Sequence, residues 1–462
     1  MTQPLDRESI SSLDPSESHE KAELFSEVLS ALDKDILPLL GRDILRCIQP
    51  EVAPTGEKPV VGGPIYGSYH VLFPLTFHTG LRWLVKIPIN GTADKWDDIS
   101  ASSLVAEAKT MQFLKRETSI PLPDVLDFSP STKSPIRCPY IILSFISGVP
   151  LYDVWFGHRL NGDDVEVNRT RRIRALEGIA SAMMQLGRFS FRTSGSPAFT
   201  SDRSLLGPGP ARRLDQKAMF DRWFVHQDPA DGPIYASQEA SSDPKAYYTF
   251  MVDLHPEGNL VPKGLVALLR QLISWIPEPG GTDRFVLAHP DFDIQNFIVS
   301  EDGELQGIID WDGVAAVPHT IGNARYPGWL TRDWDPTIYG YQESMEQGIE
   351  PDGVWEDSPQ CLADYRQVYR GAIAKCQRDG DNSVDLCRMS LITDILSIAA
   401  DDPRCRNRIL RKVTQEIWDR AGHDSELDFA ELVATFAENN VDVAVMNALQ
   451  IGFNALLIEE GL

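Results

Sequence analysis

The sequence is poor in cysteine, in positive charge and in long apolar runs. Its six cysteines, Cys47, Cys138, Cys361, Cys376, Cys387 and Cys405, are scattered over 462 residues with no C-x-x-C pair and no histidine at ligand spacing, which disfavours a disulfide scaffold or a structural zinc site. Lys and Arg number 43 against 67 Asp and Glu, a formal charge of −24. A field of that sign repels phosphate backbones and anionic lipid, so neither nucleic acid nor a membrane is an expected partner. No apolar run approaches the ~20 residues that span a bilayer. The first twenty residues are polar and acidic and lack the basic start and apolar core of a signal peptide. A reducing, cytoplasmic setting is expected.

The remainder has an ordinary globular balance, 42% hydrophobic and 24% charged, and is long enough for two or three packed units at ~150 residues each. Residues 1–18 are Ser- and acid-rich and read as a disordered tail. Leu24, Phe25, Val28, Leu29, Leu32 and Ile36 then recur at helical spacing, predicting an amphipathic helix that ends near Pro38. Alternation at Tyr69, Val71 and Phe73, a turn at His78-Thr79-Gly80, and the run Leu84, Val85, Ile87 predict a β-hairpin or small meander. A helix over 102–117 follows, then strands near Val125 and over 140–146. After Gly148 the pattern is mostly helical, with 192–213 loop-like and no fixed repeat. The expected architecture is α+β: a small mixed β-sheet lobe over 19–146 and a large helical lobe over 147–462.

The most informative segment is F-V-L-A-H-P-D-F-D-I-Q-N-F-I-V-S-E-D-G-E-L-Q-G-I-I-D-W-D, residues 285–312. Its apolar runs flank the turn Glu301-Asp302-Gly303-Glu304, so it reads as a polar loop followed by a hairpin. Such a fold-back would gather Asp291, Asn296 and Asp310. One carboxylate for an attacking hydroxyl and hard oxygen donors for a metal are what magnesium-assisted phosphoryl transfer requires. The bland alternative is an Asx-capped polar turn with a strand-end cap.

H-P-D-F-D-I-Q-N followed by I-I-D-W-D resembles the H-x-D-x-x-x-x-N and I-D-W/F motifs of the aminoglycoside phosphotransferase and choline kinase-like families, which have the protein kinase-like two-lobe fold. Y-P-G-W-L-T-R-D-W-D-P, residues 326–336, resembles the fungal branch of the phosphotransferase enzyme family. The resemblance covers roughly residues 60–340. It implies that Asp291 is the catalytic base, that Asn296 and Asp310 are magnesium ligands, and that His289 braces the catalytic loop.

Lys86 interrupts the apolar strand W-L-V-K-I-P, where a buried amine is costly unless an anion meets it. The resemblance makes it the lysine that contacts the ATP phosphates, with Glu107 as its ion-pair partner; an ordinary surface pair is the alternative. Gly67 and Ser68 stand where the phosphate-covering loop belongs, although V-G-G-P-I-Y-G-S-Y-H-V is neither G-x-G-x-x-G nor a P-loop, and a plain hairpin turn serves as well. Ser144, Phe145 and Ile146 resemble the hinge that binds the adenine edge, or are simply a buried strand.

The expected activity is therefore an ATP- and Mg2+-dependent transfer of phosphate to a hydroxyl of a small molecule, an aminoglycoside-, choline- or other metabolite-like acceptor. Trp311, Asp312, Trp329, Arg332, Asp333, Trp334 and Asp335 suggest a cationic or sugar-like ligand held by carboxylates and indoles. The competing reading of those residues is that the tryptophans pack the core and Arg332 pairs with Asp333 or Asp335. Two other functions stay open: a pseudokinase or nucleotide-binding module without turnover, and a protein kinase. The latter is disfavoured by Trp-Asp after Asp310 and by the absence of A-P-E.

Overall fold

A computed structural model of the chain describes residues 22–50, 58–201, 204–221, 234–278, 280–349, 354–378, 380–423 and 425–458. The expected tail over 1–18 lies outside the described residues. The chain divides into two compact units, Met1–Val149 with Gln306–Asp312, and Pro150–Leu305 with Gly313–Leu462.

In the first unit the helix expected to run from Leu24 to Ile36 is broken. Helix α1 (Ser26–Ala31) ends where Leu32 turns extended, at ψ 126°, and α2 (Leu37–Ile48) begins with Pro38 in its first turn. Pro38 opens a helix instead of closing one, because a missing N–H costs nothing where N–H groups have no helical partner. The apolar spacing still reports burial: Phe25, Val28, Leu32 and Leu37 join Val71, Phe73, Leu75, Trp83, Val85 and Ile87 in one core.

That core lies under a six-stranded sheet. Its strands are β1 (Val60–Val61), β2 (Ile65–Tyr66), β3 (His70–Thr76), β4 (Arg82–Pro88) and, after helix α3 (Asp98–Glu117), β5 (Val125–Ser129) and β6 (Tyr140–Ser144). The order is β1-β3-β4-β6-β5, with β2 also on β3. The predicted β3–β4 hairpin is present and places Leu72 opposite Lys86, while Ile141 of β6 flanks Lys86 on the other side. With a period of two, Val85 and Ile87 enter the core and Lys86 takes the opposite face. Helix α3 starts four residues before the predicted 102 because Asp97 caps it, accepting from Ser100 N at 2.7 Å.

The segment Gln306–Asp312, which the sequence pattern assigns to the helical lobe, packs with the first unit. Ile308 N donates to Pro121 O at 2.9 Å. Gly307 allows the close approach: a Cβ there would meet the Ile146 side chain at 2.3 Å.

The second unit runs from α4 (Val165–Met184) through short strands β7 (Ser190–Phe191), β8 (Ser196–Phe199), β9 (Leu205–Gly209), β10 (Ala211–Leu214) and β11 (Tyr235–Gln238). The stretch expected to be a loop over 192–213 therefore forms parts of two ribbons, β8 with β9 and β10 with β11. Pro197 and Pro208 face each other there, which is tolerated because every strand of a two-stranded ribbon is an edge. Helices α5 (Pro244–Leu254) and α6 (Leu260–Trp275) lead to β12 (Phe285–Ala288), β13 (Phe297–Val299) and β14 (Ala315–Pro318). Buried strand β12 lies between β7 and β14 and delivers the chain to His289. Helices α7 (Pro359–Cys376), α8 (Ser383–Asp401), α9 (Pro403–Arg420), α10 (Phe429–Ala437) and α11 (Val443–Ile458) complete the unit. Among the described residues no helix is long and apolar enough to cross a membrane.

Candidate active site

In the first unit three distant segments meet at one ammonium group. Lys86 is 5% exposed; its Nζ donates to Glu107 Oε1 at 2.7 Å and to Asp310 Oδ1 at 2.8 Å. Strand β4 brings the lysine, α3 brings the glutamate, and the turn after Ile308 brings the aspartate. Burial disfavours the ammonium, but Asp310, Glu107 and Asp312 together outweigh it and hold the Lys86 pKa above the ordinary lysine range. Burial also lifts the Glu107 carboxyl to about 7, against the pull of Lys86 and with the help of Asp312 and Asp310. One cation thus faces three acids, and the surplus charge is negative.

Asp310 differs from its two partners in exposure and backbone. Its side chain is 45% exposed, and its φ of 60° lies in the left-handed region. That conformation is unfavourable for L residues, is best tolerated by Asn and Asp outside glycine, and concentrates at functional sites. Nearby, His70 Nε2 on β3 stands 3.7 Å from Asp312 Oδ2, a pairing that sequence reasoning missed.

The second unit holds a compact polar loop after β12. Asp291 is exposed and Asn296 buried. Asn296 Nδ2 donates to Asp291 O at 2.7 Å and to Asp291 Oδ2 at 2.8 Å, and Gln295 Nε2 donates to the same carboxylate oxygen at 2.9 Å. With its NH2 committed to Asp291, the Asn296 amide keeps Oδ1 as the atom a hard cation takes. Ile294–Asn296 is a single 3-10 turn started by Asp293, whose Oδ1 accepts from Ile294 N at 2.7 Å. Phe292 and Phe297, 5.6 Å apart edge to face, anchor the loop in the core. His289 is 2% exposed, and its carbonyl accepts from Arg325 Nη2 at 3.1 Å. The turn that follows closes through Ser300 N to Glu304 O at 2.8 Å. Gly303 is required there, since its φ is 83° and a Cβ would meet Arg171 O at 2.4 Å.

Gly67 and Ser68 form the exposed tip of the β2–β3 hairpin, with Gly67 N donating to His70 O at 2.9 Å. Of the hinge-like residues, Ser144 N donates to Asp124 O and Phe145 N to Arg82 O. Two backbone N–H groups are therefore spent inside the protein, which leaves Ile146 as the segment's candidate donor.

The indole and carboxylate cluster expected to hold a cationic acceptor is used otherwise. Trp311 is fully buried in the first unit, its Nε1 donating to Ile308 O at 3.1 Å. In the second unit Trp329 stacks edge-on against Trp155 and Phe297 in the core, and Trp334 is 4% exposed. Arg332 pairs with Asp293 at 3.2 Å and Glu356 at 3.0 Å and not with its chain neighbours; Asp333 takes Arg366 at 2.7 Å, and Asp335 accepts from Thr337 N at 3.0 Å. Asp293 stands inside the motif and its capping position before I-Q-N was readable. Glu356 carries no such signal, because twenty-four positions separate it from Arg332.

Curated fungal proteins match parts of the chain. Altered inheritance of mitochondria protein 9, mitochondrial, of Candida albicans is 30% identical over 161 residues, 34% of this chain and 25% of that protein. A subtelomeric hrmA-associated cluster protein of Aspergillus fumigatus is 22% identical over 322 residues, 58% of this chain and 60% of that protein. The chain thus spans between a quarter and three-fifths of the length of these relatives. Among solved structures, Plasmodium vivax ethanolamine kinase matches with 11% identity and a TM-score of 0.40, over 95% of this chain and 97% of that one. The profile of the Phosphotransferase enzyme family matches residues 75–316, the span that holds both charged constellations and more than half of the sequence, and the chain belongs to that family and its protein kinase-like α+β fold.

Proposed function

We propose that this chain transfers the terminal phosphoryl group of ATP, with magnesium, to a hydroxyl of a small molecule. The observation that carries this reading is Lys86, buried between Glu107 and an Asp310 held in left-handed backbone, in a chain of the phosphotransferase family. A buried lysine bound to one structural acid and to one half-exposed acid is arranged to meet a charged ligand. The surplus of carboxylates there would repel a bare polyphosphate, so the nucleotide is expected to arrive with a divalent cation.

Asp310 and the Asn296 amide oxygen are each donors of the type magnesium takes. Bound magnesium would neutralise the phosphate charge that builds up during transfer. Lys86 would orient the phosphates while Glu107 fixes its direction. Gly67 and Ser68 would cover the phosphates, and the segment Ser144–Ile146 would meet the base, chiefly through Ile146. Asp291, steered by Asn296 and Gln295, would orient the acceptor hydroxyl and take its proton. His289 would hold the loop by its buried ring. Catalysis on this reading is positioning and charge neutralisation.

The test is incubation with Mg-ATP and metabolite extracts, read by mass spectrometry for an added phosphoryl group. A product formed by the wild type and lost in Asp291→Asn is expected. Nucleotide binding without ADP or phosphorylated product across the panel would overturn the reading in favour of a binding module.

A further inference from the structure

Most of the motif residues 326–336 are buried, and one of them leads back to Asp291. Arg332 lies between two acids, with Nη2 3.2 Å from Asp293 Oδ2 and Nη1 3.0 Å from Glu356 Oε1. Asp293 is the residue that starts the Ile294–Asn296 turn. Its side chain accepts from Ile294 N at 2.7 Å, and its carbonyl accepts from Asn296 N at 3.0 Å. Asn296 in turn holds both the carbonyl and the carboxylate of Asp291. Every link from Arg332 to the Asp291 carboxylate is thus a hydrogen bond or an ion pair.

The far side of this chain of contacts is firmly fixed. Arg366 donates to Leu330 O at 2.7 Å and pairs with Asp333 at 2.7 Å, clamping the backbone on either side of Arg332. Gly328 N donates to Phe292 O at 2.7 Å, a second tie between the motif and the loop. Glu356 is 5% exposed. The neighbouring Asp357 takes Trp155 Nε1 at 2.7 Å and Arg172 Nη1 at 3.1 Å, and Trp355 N donates to the Tyr152 hydroxyl at 3.0 Å. An arginine rooted in such a frame can transmit rigidity, because its planar fork fixes two carboxylates at defined angles.

We propose that Arg332 is a positioning residue: it braces Asp293 against Glu356 and so holds the 291–296 loop in the geometry that aims the Asp291 carboxylate. This rests on the phosphotransferase reading for its consequence in turnover, but not for the bracing itself. Misplacing a catalytic group by about an ångström can cost on the order of 100-fold in rate.

The experiment uses the full chain and four variants, with Mg-ATP as the only substrate. ADP release is followed with water as acceptor: the water oxygen bonds to the terminal phosphorus, its proton passes to Asp291, and ADP leaves with the bonding pair. Amide hydrogen exchange of residues 291–297 is measured in parallel. Arg332→Gln is expected to lower kcat by ~10- to 100-fold with the KM for ATP within about twofold, and to speed exchange at Ile294 and Asn296 while α8 stays protected. Arg332→Lys should recover part of both. Asp293→Asn keeps the capping oxygen but cuts the ion pair, so it should reproduce the exchange change even where Arg332→Gln folds poorly.

Wild-type exchange over 291–297 in folded Arg332→Gln or Asp293→Asn overturns the bracing role, as does a rate loss that merely follows the unfolded fraction. Absence of ADP release from the wild type both with water and with the metabolite extracts, or full release from Asp291→Asn, overturns the phosphotransferase reading instead. The exchange arm then still decides whether Arg332 braces the loop.

Discussion

The two charged constellations are built on opposite principles. The Lys86 set centres on a buried lysine and is non-local: its lysine, glutamate and aspartate come from segments separated by 21 and 224 residues. The Asp291 carboxylate is exposed and locally held, its hydrogen bonds closing over five residues or fewer. Burying an ammonium among acids is expensive and tolerated only with full pairing, so the first set should be coupled to the stability of its unit. The Asp291 carboxylate itself is exposed and held by two local amides, so altering it alone costs little stability. The two sets should therefore respond differently to substitution.

The largest effect is expected at Asp291. Asp291→Asn should lower turnover by ~100- to 10,000-fold, the ordinary worth of a positioned general base, with the melting temperature and Mg-ATP protection unchanged. A fall in melting temperature of several degrees would erase the distinction between the two regions. Next comes Lys86→Met, which strands the buried Glu107 carboxyl. The nucleotide-induced thermal shift should vanish, and the unliganded protein should be destabilised more at pH 8 than at pH 6, because Glu107 can escape its burial by taking a proton. Lys86→Met with Glu107→Gln should remove that pH dependence. A single variant with equal melting temperatures at both pH values would show that Glu107 is not the stranded group.

Asp310→Asn keeps a residue that tolerates the left-handed backbone and an oxygen for Lys86, so it should cost less stability than Lys86→Met while the magnesium-dependent part of nucleotide affinity falls. Calorimetry with and without magnesium reads this directly, and an unchanged difference would remove Asp310 from metal binding. The smallest effect concerns pH. Burial lifts the Glu107 pKa from an ordinary value near 4.5 to about 7. Between those values the folded chain holds a proton that the unfolded chain has released. The stabilisation is complete below pH 4.5 and disappears as pH rises through 7. Urea denaturation of wild type and Glu107→Gln across this window should show the wild type losing ground relative to the variant; parallel curves would contradict the raised value.

Local features of both regions were readable in the sequence, and long-range ones were readable only where chemistry forced them. The β3–β4 hairpin, the helix after it and the turn at 301–304 follow from alternation, apolar periodicity and turn residues. Lys86 stood out because an amine within W-L-V-K-I-P demands a partner, and Glu107 supplied it. Pro38 was misleading because proline fits both ends of a helical pattern: it breaks an interior but starts a first turn. Arg332 was misassigned for a related reason. Proximity in sequence favoured Asp333 and Asp335, whereas the 3-10 turns of the motif turn its side chain to Asp293 and Glu356. The tryptophans of the same motif look like ligand-binding residues in sequence, and burial alone assigns them to the core.

The central claim is that nucleotide handling resides in the buried Lys86 set and turnover in the Asp291 loop. Calorimetric titration of Mg-ATP into Lys86→Met and Asp291→Asn, both checked for an intact fold, tests it most directly. Asp291→Asn should bind with wild-type affinity and Lys86→Met should show no measurable heat of binding; wild-type affinity in Lys86→Met, or loss of binding in Asp291→Asn, would contradict it.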